Sequence, residues 1–163
     1  MQTAILPNKA MKIRLANNSD CENVQNLVFS VLREYGLQPD LQGTDQDIAD
    51  VEKNYINRGG IFELIEDNEG NLLGTVGLYP MNENTIELRK MYFSKDLRGK
   101  GMGKQTLSRM IEKAKELGFQ KIYLETASPL VEAIHLYKKF GFQSTCEKHT
   151  PRCDQAYFLD LKN

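Results

Sequence analysis

Apolar residues recur along the chain with two spacings, one typical of helices and the other typical of strands. The clearest helical stripe repeats every three or four residues: Val24, Leu27, Val28, Val31, Leu32 and Tyr35. Ser19 and Glu22 stand three residues apart just before it, in the pattern of a capping box. Glycine often follows the last turn of a helix, and Gly36 follows this stripe. The pattern predicts a first helix capped by Ser19 and closed by Gly36.

The other elements predicted up to residue 93 are four strands and a second helix. Residues 11–15 alternate between apolar and basic side chains, as a short strand does. A second helix is predicted from a cap at Thr44 to the glycines at 59 and 60. Its segment is rich in acids, which either form a solvated face or a cleft rim that attracts a cationic amine. Three strands joined by short turns then predict an antiparallel meander over 61–67, 72–79 and 85–93.

The second half alternates helices with strands. A helix is predicted from Gly103 to Gly118, and another carries Pro129 in its first turn and ends at Gly141. The intervening and final strands are predicted over 121–127, 142–147 and 156–161. Strand, loop, helix and strand form a crossover, so strands four and five should be parallel. The order predicts one mixed α/β domain over residues 1–163.

The segment before the third helix has the sequence RGKGMGK, from Arg98 to Lys104. Glycine lets a ligand approach the main chain closely and permits a positive φ. The first N–H groups of a helix have no intrahelical partner and lie at the positive end of its dipole. Arg98, Lys100 and Lys104 add positive charge at the same place. The loop is therefore predicted to bind a phosphate group.

Two common nucleotide-binding motifs do not fit this loop. Lys104 stands at the third glycine position of G-x-G-x-x-G, the dinucleotide pattern. Gln105 stands where G-x-x-x-x-G-K-[ST] needs a magnesium-binding hydroxyl. A nucleotide-dependent phosphotransferase is therefore disfavoured.

Composition narrows the class of protein. The chain has 163 residues, and its 21 basic and 22 acidic side chains give a net charge of −1, which argues against a nucleic-acid partner. No apolar run approaches the roughly 18 residues of a membrane span, and the first eleven residues lack a signal-peptide core. The odd number of cysteines, three, fits a reducing compartment. We expect a cytoplasmic protein with no membrane partner.

One cluster has the spacing of metal ligands. Cys146, His149 and Cys153 lie within eight residues and could supply three zinc ligands. A structural zinc site needs four, and the other histidine, His135, falls on a predicted helix. No metal is predicted.

Three segments resemble signatures of the GNAT N-acetyltransferase superfamily. Arg98, Gly101 and Gly103 occupy the defined places of its [RQ]-x-x-G-x-[GA] loop. Residues 87–93, ELRKMYF, resemble its fourth strand, and residues 133–142, AIHLYKKFGF, are similar to its A-x-x-L-Y-x-x-x-G-F block. The resemblance implies the GNAT fold: a mixed, mostly antiparallel sheet of about seven strands with four helices, in which parallel strands 4 and 5 splay apart.

The resemblance also implies a reaction and a cofactor site. The family moves an acetyl group from acetyl-CoA to a primary amine of a small molecule, amino acid or peptide, by direct attack in a ternary complex. The implied cofactor contacts are Met91, Tyr92, Phe93, Arg98, Gly99, Lys100, Gly101, Met102, Gly103 and Lys104, with Ser128 where relatives often carry asparagine.

Two residues are predicted to be catalytic. Tyr137 matches the family's acid, since a phenol keeps its proton at neutral pH and can donate to the departing thiolate. Glu87 is predicted to be the base that deprotonates the acceptor amine, with Glu125 as the alternative. The acceptor site is assigned to Glu87, Arg89, Tyr35 and Tyr79, with Glu34 and Asp45 as further candidates, and Arg89 could hold a substrate carboxylate. A non-catalytic module that binds acetyl-CoA and a homodimer both stay open.

Overall fold

A seven-stranded sheet organises the part of the chain that the computed structural model describes, residues 11–161. The strands are β1 (Met11–Leu15), β2 (Ile61–Asp67), β3 (Leu72–Pro80), β4 (Thr85–Phe93), β5 (Lys121–Thr126), β6 (Gln143–Thr145) and β7 (Gln155–Asp160). Their order in the sheet is β1-β2-β3-β4-β5-β7-β6. Only β4 and β5 are parallel neighbours among the described strands. The predicted meander and parallel pair are confirmed.

Four α-helices complete the fold within residues 11–161: α1 (Cys21–Glu34), α2 (Val51–Asn54), α3 (Met102–Glu116) and α4 (Val131–Lys139). None of these helices is long and apolar enough to cross a membrane. Pro129 lies before α4, because the helix begins at Val131. The prediction of one domain over 1–163 includes residues outside the described range and stays a prediction.

The first helix begins differently from the prediction. The Oδ1 atom of Asn17 accepts the Ser19 N–H, and the carboxylate of Asp20 accepts the Asn17 N–H, each at 2.9 Å. This capping box opens a short 3-10 turn, Asn18–Asp20, which leads into α1. The predicted box of Ser19 and Glu22 is therefore wrong, because Asn17 offers the acceptor two residues earlier. Gly36 closes the helix with a φ of 74°, as predicted.

The predicted second helix is broken into three short pieces: the 3-10 turns Gln46–Ala49 and Ile56–Arg58, with α2 between them. Asp50 has an extended backbone (φ −154°, ψ 86°), and its carboxylate caps α2 by accepting the Lys53 N–H at 2.9 Å. Thr44 does not cap a helix: it lies in a turn, and the next helical pieces begin after Asp45 and Asp50. The break turns Asp45 and Asp47 inward, where they are buried. The acidic segment is thus only partly solvated.

Helices cover both faces of the sheet. Val76, Leu78 and Ile86 point towards α3 and α4, and they pack with Leu107 and Met110. Phe62 and Leu64 of β2 belong to a second core with Val24, Val28, Leu32 and Ile48 on α1 and the turn after it. Burying each large aliphatic side chain contributes roughly 1.5–3 kcal/mol. These two layers fix the positions of β4 and β5 between the helices.

The centre of β4 carries a β-bulge. Gly77 pairs with Arg89 but Thr75 pairs with Tyr92, so β4 has one residue more than β3 between these two pairs. Lys90 lies in the bulge with a φ of 56° and is the one non-glycine residue with positive φ between residues 11 and 161. The Thr75 hydroxyl donates to the Lys90 carbonyl at 2.7 Å. The bulge bends β4 where it leaves its parallel neighbour.

Candidate active site

A cavity of about 1060 Å³ opens where β4 and β5 separate. The two strands pair only from Thr85 to Glu87 on β4 and from Lys121 to Tyr123 on β5. Beyond Glu87, the edge of β4 that faces β5 has no strand partner among the described residues, so its backbone groups are available to a ligand. The predicted splay of strands 4 and 5 is confirmed.

Most of the predicted site residues line this cavity. They are Tyr35, Tyr79, Glu87, Arg89, Met91, Tyr92, Phe93, Arg98, Gly99, Gly101, Met102, Gly103 and Tyr137. Lys100 and Lys104 are exposed and do not line the cavity. Ser128 also lies outside the lining, because its hydroxyl and N–H both donate to Asp154, at 2.7 and 2.9 Å. The structure therefore offers no reason for Ser128 to contact a ligand in the cavity.

The glycine loop presents a row of unpaired donors. Within residues 11–161, no group accepts a hydrogen bond from the backbone N–H groups of residues 99–104, and the first helical bond of α3 runs from Gln105 to Gly101. Gly99 and Gly101 reach this geometry with φ values of 78° and 81°. A Cβ on Gly103 would lie 3.2 Å from Leu136 of α4. Convergent N–H groups at a helix N-terminus form an anion site.

The Arg98 side chain does not point into this row. Its Nη1 donates to the Tyr35 hydroxyl at 3.0 Å, and its Nη2 pairs with the Glu34 carboxylate. The guanidinium thus ties the loop to the end of α1. The Arg98 guanidinium is therefore already paired within the chain and is not free to bind an anion.

Glu87 and Arg89 form a buried pair on β4. The Nε and Nη2 atoms of Arg89 lie 2.9 and 2.8 Å from the same oxygen, Oε1 of Glu87. No described residue donates to the other oxygen, Oε2. Burial raises the pKa of Glu87, and the charge of Arg89 only partly offsets this rise. A carboxylate that has one oxygen without a donor and a raised pKa is a stronger base than an exposed glutamate.

Tyr137 lies on α4 at the cavity wall and is 6% exposed. Burial raises the pKa of its phenol well above the usual value, and the neighbouring Tyr92 and Cys153 raise it further. Its hydroxyl makes no hydrogen bond with a residue in the described range. The phenol is therefore protonated over the whole neutral range and its O–H is free to donate.

Glu125, the alternative base, is engaged elsewhere. Its carboxylate accepts the N–H groups of His149 and Thr150, at 2.8 and 2.9 Å, and the Tyr123 hydroxyl at 2.8 Å. These bonds hold the 146–150 segment against β5. Of the two carboxylates, Glu87 has the freer oxygen.

A buried ion network that the sequence did not suggest forms one end of the cavity. Lys90 lies 3.0 Å from Asp47 and 3.4 Å from Asp45. Arg152 makes two bonds of 2.8 Å to Asp45 and donates to the Gln38 carbonyl. Burial alone would raise the pKa of Asp45, but the hydrogen bonds from Arg152 and the charge of Lys90 outweigh it, so the pKa is lowered. The network joins three segments that are distant in sequence.

The cysteine and histidine cluster does not form a metal centre in this structure. No group of three or more potential ligands comes together anywhere in residues 11–161. Cys146 is exposed, whereas Cys153 lines the cavity. His149 contributes its backbone N–H to Glu125.

The model of the Acetyltransferase (GNAT) family matches residues 28–142. The chain belongs to this family. A relative from Escherichia coli, described as an uncharacterized N-acetyltransferase, YjgM, is 37% identical over 125 residues, which are 74% of each chain. This GNAT protein is thus an acetyl-CoA-dependent N-acetyltransferase, as its sequence predicted. The relatives give no support to a non-catalytic module.

Solved structures agree with the fold. A GNAT acetyltransferase from Staphylococcus aureus Mu50 has a TM-score of 0.87 and 28% identity, over 94% of this chain and all of that one. The spermidine N-acetyltransferase of Vibrio cholerae, solved with CoA and spermine, has a TM-score of 0.68 at 19% identity, over 93% of this chain and 95% of that one. The second likeness is evidence for the shared fold alone.

Proposed function

We propose that this GNAT enzyme transfers the acetyl group of acetyl-CoA to a primary amine of a small molecule, amino acid or peptide, by direct attack in a ternary complex. The observation that carries the proposal is the set of residues that line the cavity. Gly99, Gly101, Met102 and Gly103, whose N–H groups have no acceptor among the described residues, line the same cavity as Glu87 and Tyr137. A diphosphate carrier and a protonated amine need these two kinds of group.

The loop and β4 fit acetyl-CoA. The diphosphate would accept hydrogen bonds from the N–H groups of residues 99–104. The pantetheine arm is extended and carries amides, so it would run along the free edge of β4 at Met91, Tyr92 and Phe93. Its binding would deliver a thioester, whose acyl carbon is open to attack by an amine. In the Vibrio cholerae enzyme, which shares the fold, CoA is bound.

Glu87 would act as the general base. The acceptor reaches the active site mainly as an ammonium ion, because alkyl amines titrate near 10. The free Oε2 atom of Glu87 can take its proton, directly or through one water molecule. The other oxygen is held by Arg89, which fixes the direction of Oε2.

Tyr137 would act as the general acid. The thiolate that leaves when the C–S bond breaks needs a proton, and the Tyr137 hydroxyl has one that no described residue accepts. The raised pKa of this phenol keeps it protonated at neutral pH, so the proton is present when the thiolate forms. The N–H groups that β4 frees at its bulge could also stabilise charge on the carbonyl oxygen.

The charge and cysteines of the chain support a small-molecule acceptor and a cytoplasmic location. The net charge of −1 argues against a nucleic-acid acceptor, which favours a protein with a clear basic excess. Cys21, Cys146 and Cys153 are free thiols, which suits a reducing compartment.

A thiol-release assay tests the proposal. Purified protein with acetyl-CoA is mixed with a panel of amino acids, polyamines, aralkylamines and short peptides, and free CoA thiol is measured. We expect at least one amine to raise thiol release well above the rate without amine. Binding of acetyl-CoA by calorimetry without release for any amine would favour a binding module instead.

A further inference from the structure

Three acid–base pairs surround the acceptor end of the cavity. They are Glu87 with Arg89, Asp47 with Lys90, and Asp45 with Arg152. Each acid is matched by one base at 3.0 Å or less, so the set carries no net charge. Asp40, Asp50, Glu125 and Glu132 also line the cavity, so this charge balance describes the three pairs alone.

Within the Glu87–Arg89 pair, one oxygen and one nitrogen make no hydrogen bond with the described residues. The Nε hydrogen bond and the Nη2 ion-pair contact of Arg89 both go to Oε1 of Glu87, so no described residue donates to Oε2. The Nη1 atom of Arg89 donates to none of the described residues and lies 3.8 Å from Asp47. Asp47 is already held by Lys90 and by the Tyr55 hydroxyl. One ion pair therefore carries an acceptor, Oε2, and a donor, Nη1, that make no hydrogen bond with the described residues.

Tyr79 holds the guanidinium in place. The Arg89 Cζ atom lies 3.7 Å from the centre of the Tyr79 ring, and Arg58 lies 4.4 Å from the same ring. Arg89 lines the cavity and Arg58 does not. A stacked guanidinium keeps its donors in a fixed plane, which suits a carboxylate.

We propose that the acceptor is an α-amino acid, with its amino group at Oε2 of Glu87 and its carboxylate on the free N–H groups of Arg89. The inference rests on the proposed function and names its substrate class. An amino-acid zwitterion adds one positive and one negative charge, so the three acid–base pairs and the acceptor together still carry no net charge. The two free groups belong to side chains that are hydrogen-bonded to each other, so they fit an amine and a carboxylate on one carbon.

The reaction balances with these groups. The ammonium gives one proton to Glu87, the nitrogen forms a bond to the acetyl carbon, and the C–S bond breaks with its electron pair on sulfur. Tyr137 protonates that sulfur and recovers a proton from the new amide nitrogen. Glu87 then releases its proton to solvent, so the products are an N-acetyl amino acid, CoA thiol and one proton.

A matched series of acceptors tests the inference. For the side chains of leucine, methionine and phenylalanine, kcat/KM is measured for the L-amino acid, its carboxamide and the decarboxylated amine, with spermidine as a further acceptor. We expect at least one amino acid to exceed both its carboxamide and its amine by about tenfold or more, because only the carboxylate makes a charged pair with Arg89. Equal rates within a series, the highest rate with spermidine, or no turnover of any amino acid would overturn the inference.

Variants assign the preference to Arg89. In Arg89→Gln the ratio of kcat/KM for amino acid over amine should fall to near one, and in Arg89→Lys it should be intermediate. Arg58→Gln removes the other guanidinium from the Tyr79 ring and should keep the wild-type ratio. A ratio that survives in both Arg89 variants, each checked for folding by thermal melting, would overturn the inference. Failure of the proposed function is separate, since it would abolish acetyl-CoA turnover for every amine.

Discussion

Lys90 and Asp47 form an ion pair in which Nζ lies 3.0 Å from Oδ1 and the side chains are only 6% and 5% exposed. The two residues are 43 positions apart. Lys90 reaches Asp47 from a left-handed backbone conformation, with a φ of 56°. In a regular strand, the Lys90 and Arg89 side chains would point to opposite faces of the sheet. The bulge lets both of them approach Asp47. The pair therefore fastens the bulge of β4 to the turn after α1.

Removing this ammonium should destabilise the fold. We expect Lys90→Met to lower the free energy of unfolding by about 3 kcal/mol, because two buried carboxylates lose their shared cation. The measurement is urea denaturation at neutral pH. The matched control is Lys113→Met, since Lys113 is half exposed and lies 4.0 Å from Glu116; its change should stay below about 0.5 kcal/mol. Equal effects of the two substitutions would contradict the role given to the buried pair.

The turn of the glycine loop should matter for cofactor affinity. Gly101 has a φ of 81°, and a Cβ there would meet no other described residue within 4 Å, so alanine is strained without a clash. We expect Gly101→Ala to weaken acetyl-CoA binding by about tenfold or more, because the backbone turn that aims the loop N–H groups changes. Calorimetric titration measures the Kd.

Gly70 supplies the control for that substitution. It has a φ of 84°, is equally uncrowded, and lies in the turn between β2 and β3, away from the cavity. Gly70→Ala should cost a similar amount of stability, about 1 kcal/mol, and leave the Kd unchanged. Unchanged binding in Gly101→Ala would mean that the loop does not hold the cofactor.

Tyr137 should be needed for turnover more than for binding. We expect Tyr137→Phe to lower kcat at least about tenfold with little change in the Kd of acetyl-CoA, because only the proton donor is lost. Tyr157→Phe is the control, since Tyr157 is also buried but does not line the cavity. A kcat within twofold of wild type would remove Tyr137 from the mechanism.

Glu87 should determine the acidic limb of the pH–rate profile. The base works only when deprotonated, so kcat/KM should rise with pH through its pKa. Burial raises this pKa, which places the limb above the usual range of a glutamate. We expect Glu87→Gln to lower kcat/KM by about a hundredfold and to remove the limb. An acidic limb that persists unchanged in Glu87→Gln would eliminate Glu87 as the base.

Asp45 should make the fold sensitive to acid. Its pKa is lower in the folded chain than in the unfolded chain, so its contribution to stability is present above the unfolded pKa and is lost as pH falls through the folded one. Unfolding free energy is measured from about pH 7 down to about pH 3, a range that spans the ordinary pKa of an aspartate. Asp45→Asn should be less stable at neutral pH and show a shallower loss. A slope identical to that of the wild type would contradict this assignment.

Local patterns were sufficient for most of the fold. Helical stripes and strand alternation depend on neighbours in sequence, and β1, β2 and β4 lie at the predicted residues. The prediction of the second helix failed because Asp45 and Asp47 turn inward to Lys90 and Arg152, which lie far along the chain. Periodicity carries no information about such partners.

The candidate site divides in the same way. Motifs predicted the glycine loop, the splayed strands and the cavity positions of Glu87 and Tyr137. They could not predict that the Arg98 guanidinium pairs with Glu34, or that the Ser128 hydroxyl donates to Asp154. The positive φ of Lys90 could not be predicted from the sequence either, because a lysine within a strand pattern does not indicate a bulge. Side-chain partners across the fold decide these features.

The most direct test of the central claim follows the backbone N–H groups of residues 99–104 by NMR while acetyl-CoA is added. We predict that these amide signals shift more than those elsewhere in the chain, with saturation at one acetyl-CoA per chain. Binding that leaves the 99–104 amides unmoved, or no binding at all, would contradict the account.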